Sequence, residues 1–245
     1  MGLAIGSFIN VVADRLIHDE PLSGRSHCDY CKKTLSFMDL IPVFSYLFLR
    51  GRCRYCHKKL SFQYPLVEFL TGCLFILVVL LSPQADMLHI VLYWGIVSSA
   101  WIIFISDLKY QLISDSVQLT FFVFVFLLKL IERATLFSLG FDVISGVMVA
   151  LPIGLIYLIS RERAMGLGDV ILAFIIGFLF GMGKGFLALY FGFVIGAVVG
   201  IALILSQKKK LKSSISFGPF LILGMIIVAL WGDVLLQGIK RIYGI

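Results

Sequence analysis

Apolar residues along this chain fall into eight long runs that are separated by short polar stretches. A membrane-spanning helix needs about 20 predominantly apolar residues, and most of the runs approach that length. We therefore predict eight spanning helices: Leu3 to Ala13, Leu66 to Leu81, Leu88 to Ser106, Val117 to Ile131, Phe141 to Ser160, Val170 to Met182, Phe186 to Ser206 and Phe217 to Leu236. The first run is too short to span unaided and lacks the basic n-region of a signal peptide. We expect either a start inside this helix or a polar end, Asn10 to Arg15, that enters a protein-lined site.

Composition supports this class, because 60% of the residues are hydrophobic and only 14% are charged. Soluble domains are about half apolar, so the chain is predicted to be an all-α polytopic membrane protein. We divide it into a first transmembrane helix at 1–16, a polar lobe at 17–64 and a membrane domain at 65–245. We expect no internal repeat of 20 to 50 residues.

The distribution of basic residues predicts the orientation of the chain in the membrane. Of the 21 Lys and Arg residues, 16 fall in four segments that we assign to one side. These residues are Arg15, Arg25, Lys32, Lys33, Arg50, Arg52, Arg54, Lys58, Lys59, Lys109, Arg161, Arg163, Lys208, Lys209, Lys210 and Lys212. The opposite side keeps Lys129, Arg133, Lys184, Lys240 and Arg241. The positive-inside rule makes the first side cytoplasmic and places both termini outside. We read the net charge of +7 as topology and lipid contact, not as nucleic-acid binding.

Four of the five cysteines lie in the polar lobe as two pairs, Cys28 with Cys31 and Cys53 with Cys56. Paired CxxC motifs predict a tetrahedral zinc site, and the 21 intervening residues slightly exceed the usual spacing of about 15 to 20. A lobe of this size has little core of its own, so metal binding would supply much of its folding energy. Disulfides are the alternative, and the cytoplasmic assignment disfavours them. His27 and His57 are alternative ligands.

Between the cysteine pairs, Leu35 to Leu49 is apolar, too short to span a membrane and interrupted by Pro42. Such a segment indicates either an interfacial or re-entrant element that holds the lobe against the bilayer, or a buried core of the lobe. Glu68, early in the second spanning helix, is either a carboxylate that reaches the interface or part of a polar site.

Two aspartates stand where a polar stretch becomes an apolar run, Asp115 before Val117 and Asp169 at the end of Gly166-Leu-Gly-Asp169. Ionisable residues at the ends of spanning helices are rare and indicate function. Two carboxyl groups that share a water-accessible pocket retain one proton between them, so one can activate water while the other polarises a peptide carbonyl. Gly166 and Gly168 would let a substrate backbone come close to Asp169. A helix-capping aspartate after a glycine turn is the structural alternative.

Several motifs in this order resemble those of one family. They are Gly6-Ser-Phe-Ile-Asn-Val-Val12 with Arg15-Leu16, the cysteine pairs around Leu40 to Cys53, Tyr64-Pro-Leu-Val-Glu68, Asp107 with Asp115, Gly166-Leu-Gly-Asp169 and Phe217-Gly-Pro-Phe220. The chain resembles the type IV prepilin leader peptidases, bifunctional GxGD membrane proteases that process pilins, type II secretion pseudopilins and competence pseudopilins. The resemblance covers nearly the whole chain.

The resemblance implies cleavage of a short basic leader before a hydrophobic helix, at the cytoplasmic face of the bacterial inner membrane. Most members then methylate the new N-terminus with S-adenosylmethionine, and the N-terminal region is associated with that step. The catalytic pair of the family maps to Asp115 and Asp169, and Asp107, eight residues upstream of Asp115, maps to an auxiliary position. Ser114 stands where proline is usual and Ile171 where lysine is common.

A zinc-lobed transporter or channel is the alternative, in which Asp107, Asp115 and Asp169 relay protons or cations. The clustering of these acids at one membrane face, with no visible inverted repeat, disfavours it. A thiol oxidoreductase would need cysteines on the oxidising side.

Overall fold

Eight α-helices carry nearly all the regular structure in the computed structural model, which describes residues 1–16, 21–28, 30–132, 135–163, 165–207 and 216–243. They are α1 Gly2–Arg15, α2 Phe44–Phe48, α3 Gln63–Leu81, α4 Met87–Tyr110, α5 Asp115–Glu132, α6 Leu136–Ser160, α7 Leu167–Leu205 and α8 Gly218–Tyr243. A 3-10 turn at Phe37–Leu40 precedes α2. Within these residues extended pairing is limited to two isolated bridges, so the all-α prediction is confirmed.

Five of the helices in the described ranges, α3, α4, α6, α7 and α8, are long and apolar enough to cross a membrane. The chain is therefore a multi-pass membrane protein. The 14-residue α1 is short, as predicted, and α5 carries three charged residues among its 18. Of the basic residues used in the topology prediction, Arg133, Lys208, Lys209, Lys210 and Lys212 lie outside the described residues.

The two helices predicted at Val170 to Met182 and Phe186 to Ser206 are joined in the structure without a polar loop. Together they form α7, whose 39 residues would extend ~58 Å as one straight helix, about twice the hydrocarbon thickness of a bilayer. The helix is interrupted at Gly181, where φ 78° and ψ 174° are accessible essentially only to glycine. A Cβ placed on Gly185 would lie 3.1 Å from the Cα atom of Gly177, so the chain reverses at Gly181. We call residues 167–180 and 182–205 the first and second arms of α7.

The chain divides into two compact units, Met1–Ile102 and Ile103–Ile245, with the boundary inside α4. In the first unit α1 packs antiparallel against α3. A Cβ on Gly6 would lie 2.6 Å from the Cα atom of Glu68, so the two backbones approach as closely as small residues allow.

In the second unit the first arm of α7 packs against α5 and α6, and the second arm packs against α8. The Phe122 ring of α5 lies 5.5 Å from the Phe178 ring and 6.1 Å from the Phe174 ring, both on the first arm of α7. This aromatic contact packs the first half of α5 against the first arm of α7.

Candidate active site and metal centre

The last turn of α4 and the first turns of α5, α7 and α8 meet at one end of the second unit. Ile113, in the α4–α5 connection, lies between two glycines: a Cβ on Gly168 would be 3.3 Å from its Cβ, and one on Gly218 would be 3.2 Å from its Cδ1. Gln118 Nε2 donates to the Gly168 carbonyl oxygen at 2.6 Å. Three helix N-termini, each with free N–H groups and a positive macrodipole end, therefore face the same region.

Asp169 caps its own helix at this end. Its Oδ2 accepts the Gly166 N–H at 3.2 Å, and its own N–H donates to the Gly166 carbonyl at 3.2 Å. Gly166 adopts an extended conformation as the N-cap, and an acidic residue in the first turn is favoured by the helix dipole. The side chain is nevertheless largely buried, with 8% of the residue exposed. If this carboxyl group served only to cap the helix, it could remain exposed to solvent.

Asp107, in the last turn of α4, is the second buried acid of this region, with 4% of the residue exposed. Its carboxylate accepts the N–H of Gly218 at the start of α8 and interacts electrostatically with Asp169. A Cβ on Gly218 would lie 2.6 Å from Asp107 Oδ2, so the absence of a side chain there lets the acid reach the helix end. Among the described residues, Oδ2 has no hydrogen-bond donor. An unpaired buried carboxyl oxygen is costly and is available to a substrate.

Asp115, which the sequence predicts as the partner of Asp169, is the first residue of α5 and is exposed. It lies one helical turn before Gln118, whose side chain contacts the residue preceding Asp169. All three predicted acids thus belong to the same end of the second unit. Asp107 and Asp169 are buried there, whereas Asp115 is exposed.

Gln118 and Ile113 also help to position the acids, and neither is among the site residues predicted from the sequence. Gln118 is a buried polar residue near the start of an otherwise apolar run and follows Asp115 by three residues. Residues at this spacing lie on the same side of a helix, so a polar pair was recognisable in the sequence. Ile113 carries no such signal, because its role depends on tertiary packing.

In the first unit the four predicted cysteine ligands come together, with all Sγ atoms within 4.8 Å of one another. Cys28 Sγ and Cys56 Sγ are 3.9 Å apart. A tetrahedral Zn²⁺ with bonds of about 2.3 Å would separate its sulfur ligands by about 3.8 Å, so the cluster has the dimensions of a metal site. The described cysteines form no disulfide, and neither His27 nor His57 belongs to the cluster.

Within the cluster the thiolate form is favoured at Cys53. Burial raises the pKa of Cys53, but backbone hydrogen bonds from Cys56 and Tyr55 and contacts with the Cys28 and Cys56 thiols outweigh burial and lower it to about 7. At Cys56 a backbone hydrogen bond from Lys58 lowers the pKa, but burial and the other three thiols of the cluster outweigh it and raise the pKa to about 11. Metal binding requires thiolates, so the peptide geometry around Cys53 prepares the site for a cation.

Two near copies of one ten-residue segment form this site. Cys28-Asp-Tyr-Cys-Lys-Lys-Thr-Leu-Ser-Phe37 and Cys53-Arg-Tyr-Cys-His-Lys-Lys-Leu-Ser-Phe62 are identical at seven of ten positions, with an offset of 25 residues. The expectation of no internal repeat was therefore wrong for this short segment, which occurs twice with an offset of 25 residues. We call the two segments the first and second knuckles.

Equivalent contacts recur in both knuckles. The Cys28 N–H donates to the Lys33 carbonyl at 3.0 Å, and the Cys53 N–H donates to the Lys58 carbonyl at 2.9 Å. The contacts between the knuckles are reciprocal as well. Lys33 Nζ lies over the Tyr55 ring at 4.7 Å, and Lys58 Nζ lies over the Tyr30 ring at 4.8 Å. The knuckles therefore pair as two similar halves around the sulfur cluster.

The apolar segment between the knuckles is anchored to the second one. Arg54 Nε is 2.6 Å from Asp39 Oδ1, and the Tyr55 hydroxyl donates to Asp39 Oδ2 at 3.3 Å. Burial opposes ionisation of Asp39, but hydrogen bonds from Ser36 and the pairing with Arg54 outweigh it and hold its pKa below the ordinary value. Phe37 and Phe48 are 80% and 82% exposed, which fits the interfacial alternative and not a buried core.

Comparison with known proteins relates both units to one family. Residues 1–82 match the bacterial peptidase A24 N-terminal domain, and residues 94–201 match the type IV leader peptidase family. The chain is 29% identical to a prepilin leader peptidase/N-methyltransferase of Bacillus subtilis (strain 168), over 95% of this chain and 92% of the relative.

Two further relatives extend this similarity. A prepilin leader peptidase/N-methyltransferase of Aeromonas hydrophila is 32% identical over 94% of this chain and 88% of its own length. A type 4 prepilin-like proteins leader peptide-processing enzyme of Escherichia coli O78:H11 is 32% identical over 92% and 89%. No solved structure matches the chain.

Proposed function

The chain belongs to the type IV leader peptidase family, and from that premise we propose that it removes the leader of prepilins or prepilin-like pseudopilins and then methylates the new N-terminus. It is a multi-pass membrane peptidase by its helices and its family. Both proposed steps are named in its relatives, which are called leader peptidase and N-methyltransferase.

We propose that cleavage uses an aspartate dyad of Asp169 and one acid from the α4–α5 region. The observation that supports this is the burial of Asp107 and Asp169, which are only 4% and 8% exposed, where the end of α4 meets the N-termini of α7 and α8. This geometry favours Asp107 as the partner. The assignment of Asp115 as that partner stays a prediction, and its exposed position on α5 also suits contact with an entering substrate.

In the proposed mechanism the ionised carboxylate takes a proton from water as the water oxygen attacks the scissile carbonyl carbon. The protonated partner donates a hydrogen bond to the carbonyl oxygen, which carries the developing negative charge. The C–N bond then breaks, and the leaving amine receives a proton from the dyad. Gly166 and Gly168 present no side chain, so the substrate backbone can approach Asp169.

The cysteine cluster would hold a structural zinc ion through Cys28, Cys31, Cys53 and Cys56. Its role in this proposal is to fix the knuckles and the apolar segment that they enclose. S-adenosylmethionine is the proposed methyl donor for the second step, and we associate that step with the lobe at 17–64. The peptidase chemistry belongs to the domain at 65–245.

We place the protein in the bacterial inner membrane with the lobe and the acids facing the cytoplasm, as the distribution of Lys and Arg predicts. Its proposed partners are prepilin-like substrates and membrane lipid, with no nucleic acid. Since the relatives are named as peptidases, we do not propose the ion-relay transporter.

The test is co-expression with a prepilin substrate, followed by intact-mass measurement of the product. The wild-type chain should yield shortened and N-methylated pilin, and the Asp169→Asn variant should yield full-length precursor. A shortened product from the variant at the wild-type level would overturn the proposed dyad.

A further inference from the structure

Glu68 is a buried carboxylate that the cleavage mechanism does not use. It lies on α3 about 8 Å from the start of the helix, and only 8% of the residue is exposed. Its Oε2 accepts the Val43 N–H at 2.7 Å, and its carboxylate also accepts a hydrogen bond from the Ser7 side chain of α1. The sequence left open whether Glu68 reaches the interface or belongs to a polar site, and its burial and partners indicate the polar site.

Asn10 lies in the same seam between α1 and α3. It is 4% exposed, and its Nδ2 donates to the Tyr64 carbonyl at 3.2 Å. Since Asn10 follows Ser7 by three residues and Tyr64 precedes Glu68 by four, the two contacts are adjacent along the antiparallel pair. Asn10 Oδ1 is buried and has no donor among the described residues. Leaving a buried acceptor unpaired is unfavourable, so a bound group with N–H donors would replace the hydrogen bonds that burial removes.

The oxygen atoms of this seam match a primary ammonium group. A carboxylate and an amide oxygen offer a single negative charge and directed acceptors, which suit an ion with three N–H donors. A divalent cation would require about six oxygen ligands, several of them charged. Removal of a leader by peptide hydrolysis creates a new α-amino group at the head of the remaining chain.

We propose that Glu68 and Asn10 bind the freed N-terminal ammonium of the processed substrate and that Glu68 takes its proton before methyl transfer. This inference rests on the proposed function. The ammonium has no lone pair, so the Glu68 carboxylate must first accept one proton from it. The resulting amine nitrogen then forms a bond to the donor methyl carbon while the electrons of the C–S bond remain on sulfur. The product is a secondary ammonium that carries the new methyl group.

The segment between the knuckles links this site to the metal centre. Val43 donates to Glu68 from a conformation with positive φ (φ 63°, ψ −50°) that a β-branched residue rarely adopts. The 3-10 turn just before it carries Asp39, which is held by Arg54 and Tyr55 of the second knuckle. An ordered knuckle therefore positions the Val43 N–H that orients the Glu68 carboxylate.

The first experiment compares Glu68→Gln with Glu132→Gln, a matched change at an exposed glutamate of α5. The glutamine keeps an acceptor for Val43 but cannot take a proton. In cells that express a prepilin, Glu68→Gln should lower the methylated fraction of cleaved pilin at least about tenfold while cleavage stays within about twofold. Glu132→Gln should match wild type in both steps. Normal methylation by Glu68→Gln, or a parallel loss of cleavage, methylation and bound zinc, would overturn the proposal.

The second experiment uses the purified wild-type protein and needs no variant. A synthetic peptide with the mature pilin N-terminus and a free amino group should bind at least about tenfold more tightly than its N-acetylated form, because acetylation removes the cation. Equal affinities would refute the ammonium site. If the wild-type chain cleaves pilin but never methylates it, the second half of the proposed function fails, and the peptide comparison still decides whether the site exists.

Discussion

Replacing each of the three acids with asparagine separates the two candidate partners of Asp169. If Asp107 and Asp169 form the dyad, Asp107→Asn removes a proton-transfer group of the kind that contributes about 10²–10⁴ in rate, or about 3–5 kcal/mol of transition-state stabilisation. Asp169→Asn should cost as much. Asp115 is exposed at the start of α5, where an acid interacts with the helix dipole by about 0.3–1 kcal/mol, so Asp115→Asn should slow cleavage less than about fivefold.

The assay is single-turnover cleavage of a prepilin by purified protein in lipid vesicles, with enzyme in excess so that product release does not limit the rate. Asp233→Asn is the control, because Asp233 is 79% exposed and its Oδ1 pairs with Lys184 Nζ at 2.8 Å, on residues outside the acid cluster. A cleavage rate for Asp107→Asn above about a tenth of wild type would refute the geometric argument. A collapse in Asp115→Asn as deep as that in Asp169→Asn would instead establish the partner that the sequence predicts.

Three further predictions concern the metal, the acid cluster and the reversal of α7. Cys53→Ser should remove the bound zinc, as measured by elemental analysis, and should reduce methylation more than cleavage, because methyl transfer needs an assembled pocket. Equal loss of both steps would contradict this separation. Gly218→Ala should lower cleavage at least about tenfold, since its Cβ would sit 2.6 Å from Asp107 Oδ2, whereas Gly238→Ala, with nothing within 4 Å, should be neutral in the same assay. Gly181→Ala should destabilise the protein by about 1–3 kcal/mol and lower its thermal midpoint in detergent, and an unchanged midpoint would argue against the reversal.

The long apolar runs were predictable from the sequence, because the thickness of the bilayer determines how many apolar residues a spanning helix needs, whatever its packing. The junction inside α7 was not predictable in the same way. Met182, Gly183 and Lys184 interrupt the hydrophobic pattern as a loop would, but the backbone there stays helical on both sides of Gly181. Hydropathy reports where polarity changes, whereas the conformation of one glycine determines whether the chain forms a loop or a sharp reversal.

Two of the three acids could be recognised from the local sequence, whereas the third could be recognised only from the packing of the helices. Asp115 and Asp169 are recognisable from sequence, because each begins an apolar run. Asp107 instead ends a run, and its partner groups come from α7 and α8, which lie about 60 and 110 residues further along the chain. Only the packing of those helices identifies it as the acid that interacts with Asp169.

The reversal of α7 also constrains how the chain is inserted into the membrane during synthesis. After Asp169 the only charged side chain of α7 is Lys184, three residues beyond the turn. With no hydrophilic loop to translocate, the two arms must enter the bilayer together as a helical hairpin, since either arm alone would leave the turn and Lys184 in hydrocarbon. Lys184 then meets Asp233 only after α8 has been synthesised. The turn between the two arms is therefore inserted as part of a hairpin, and its lysine gains an acidic neighbour only once α8 is present.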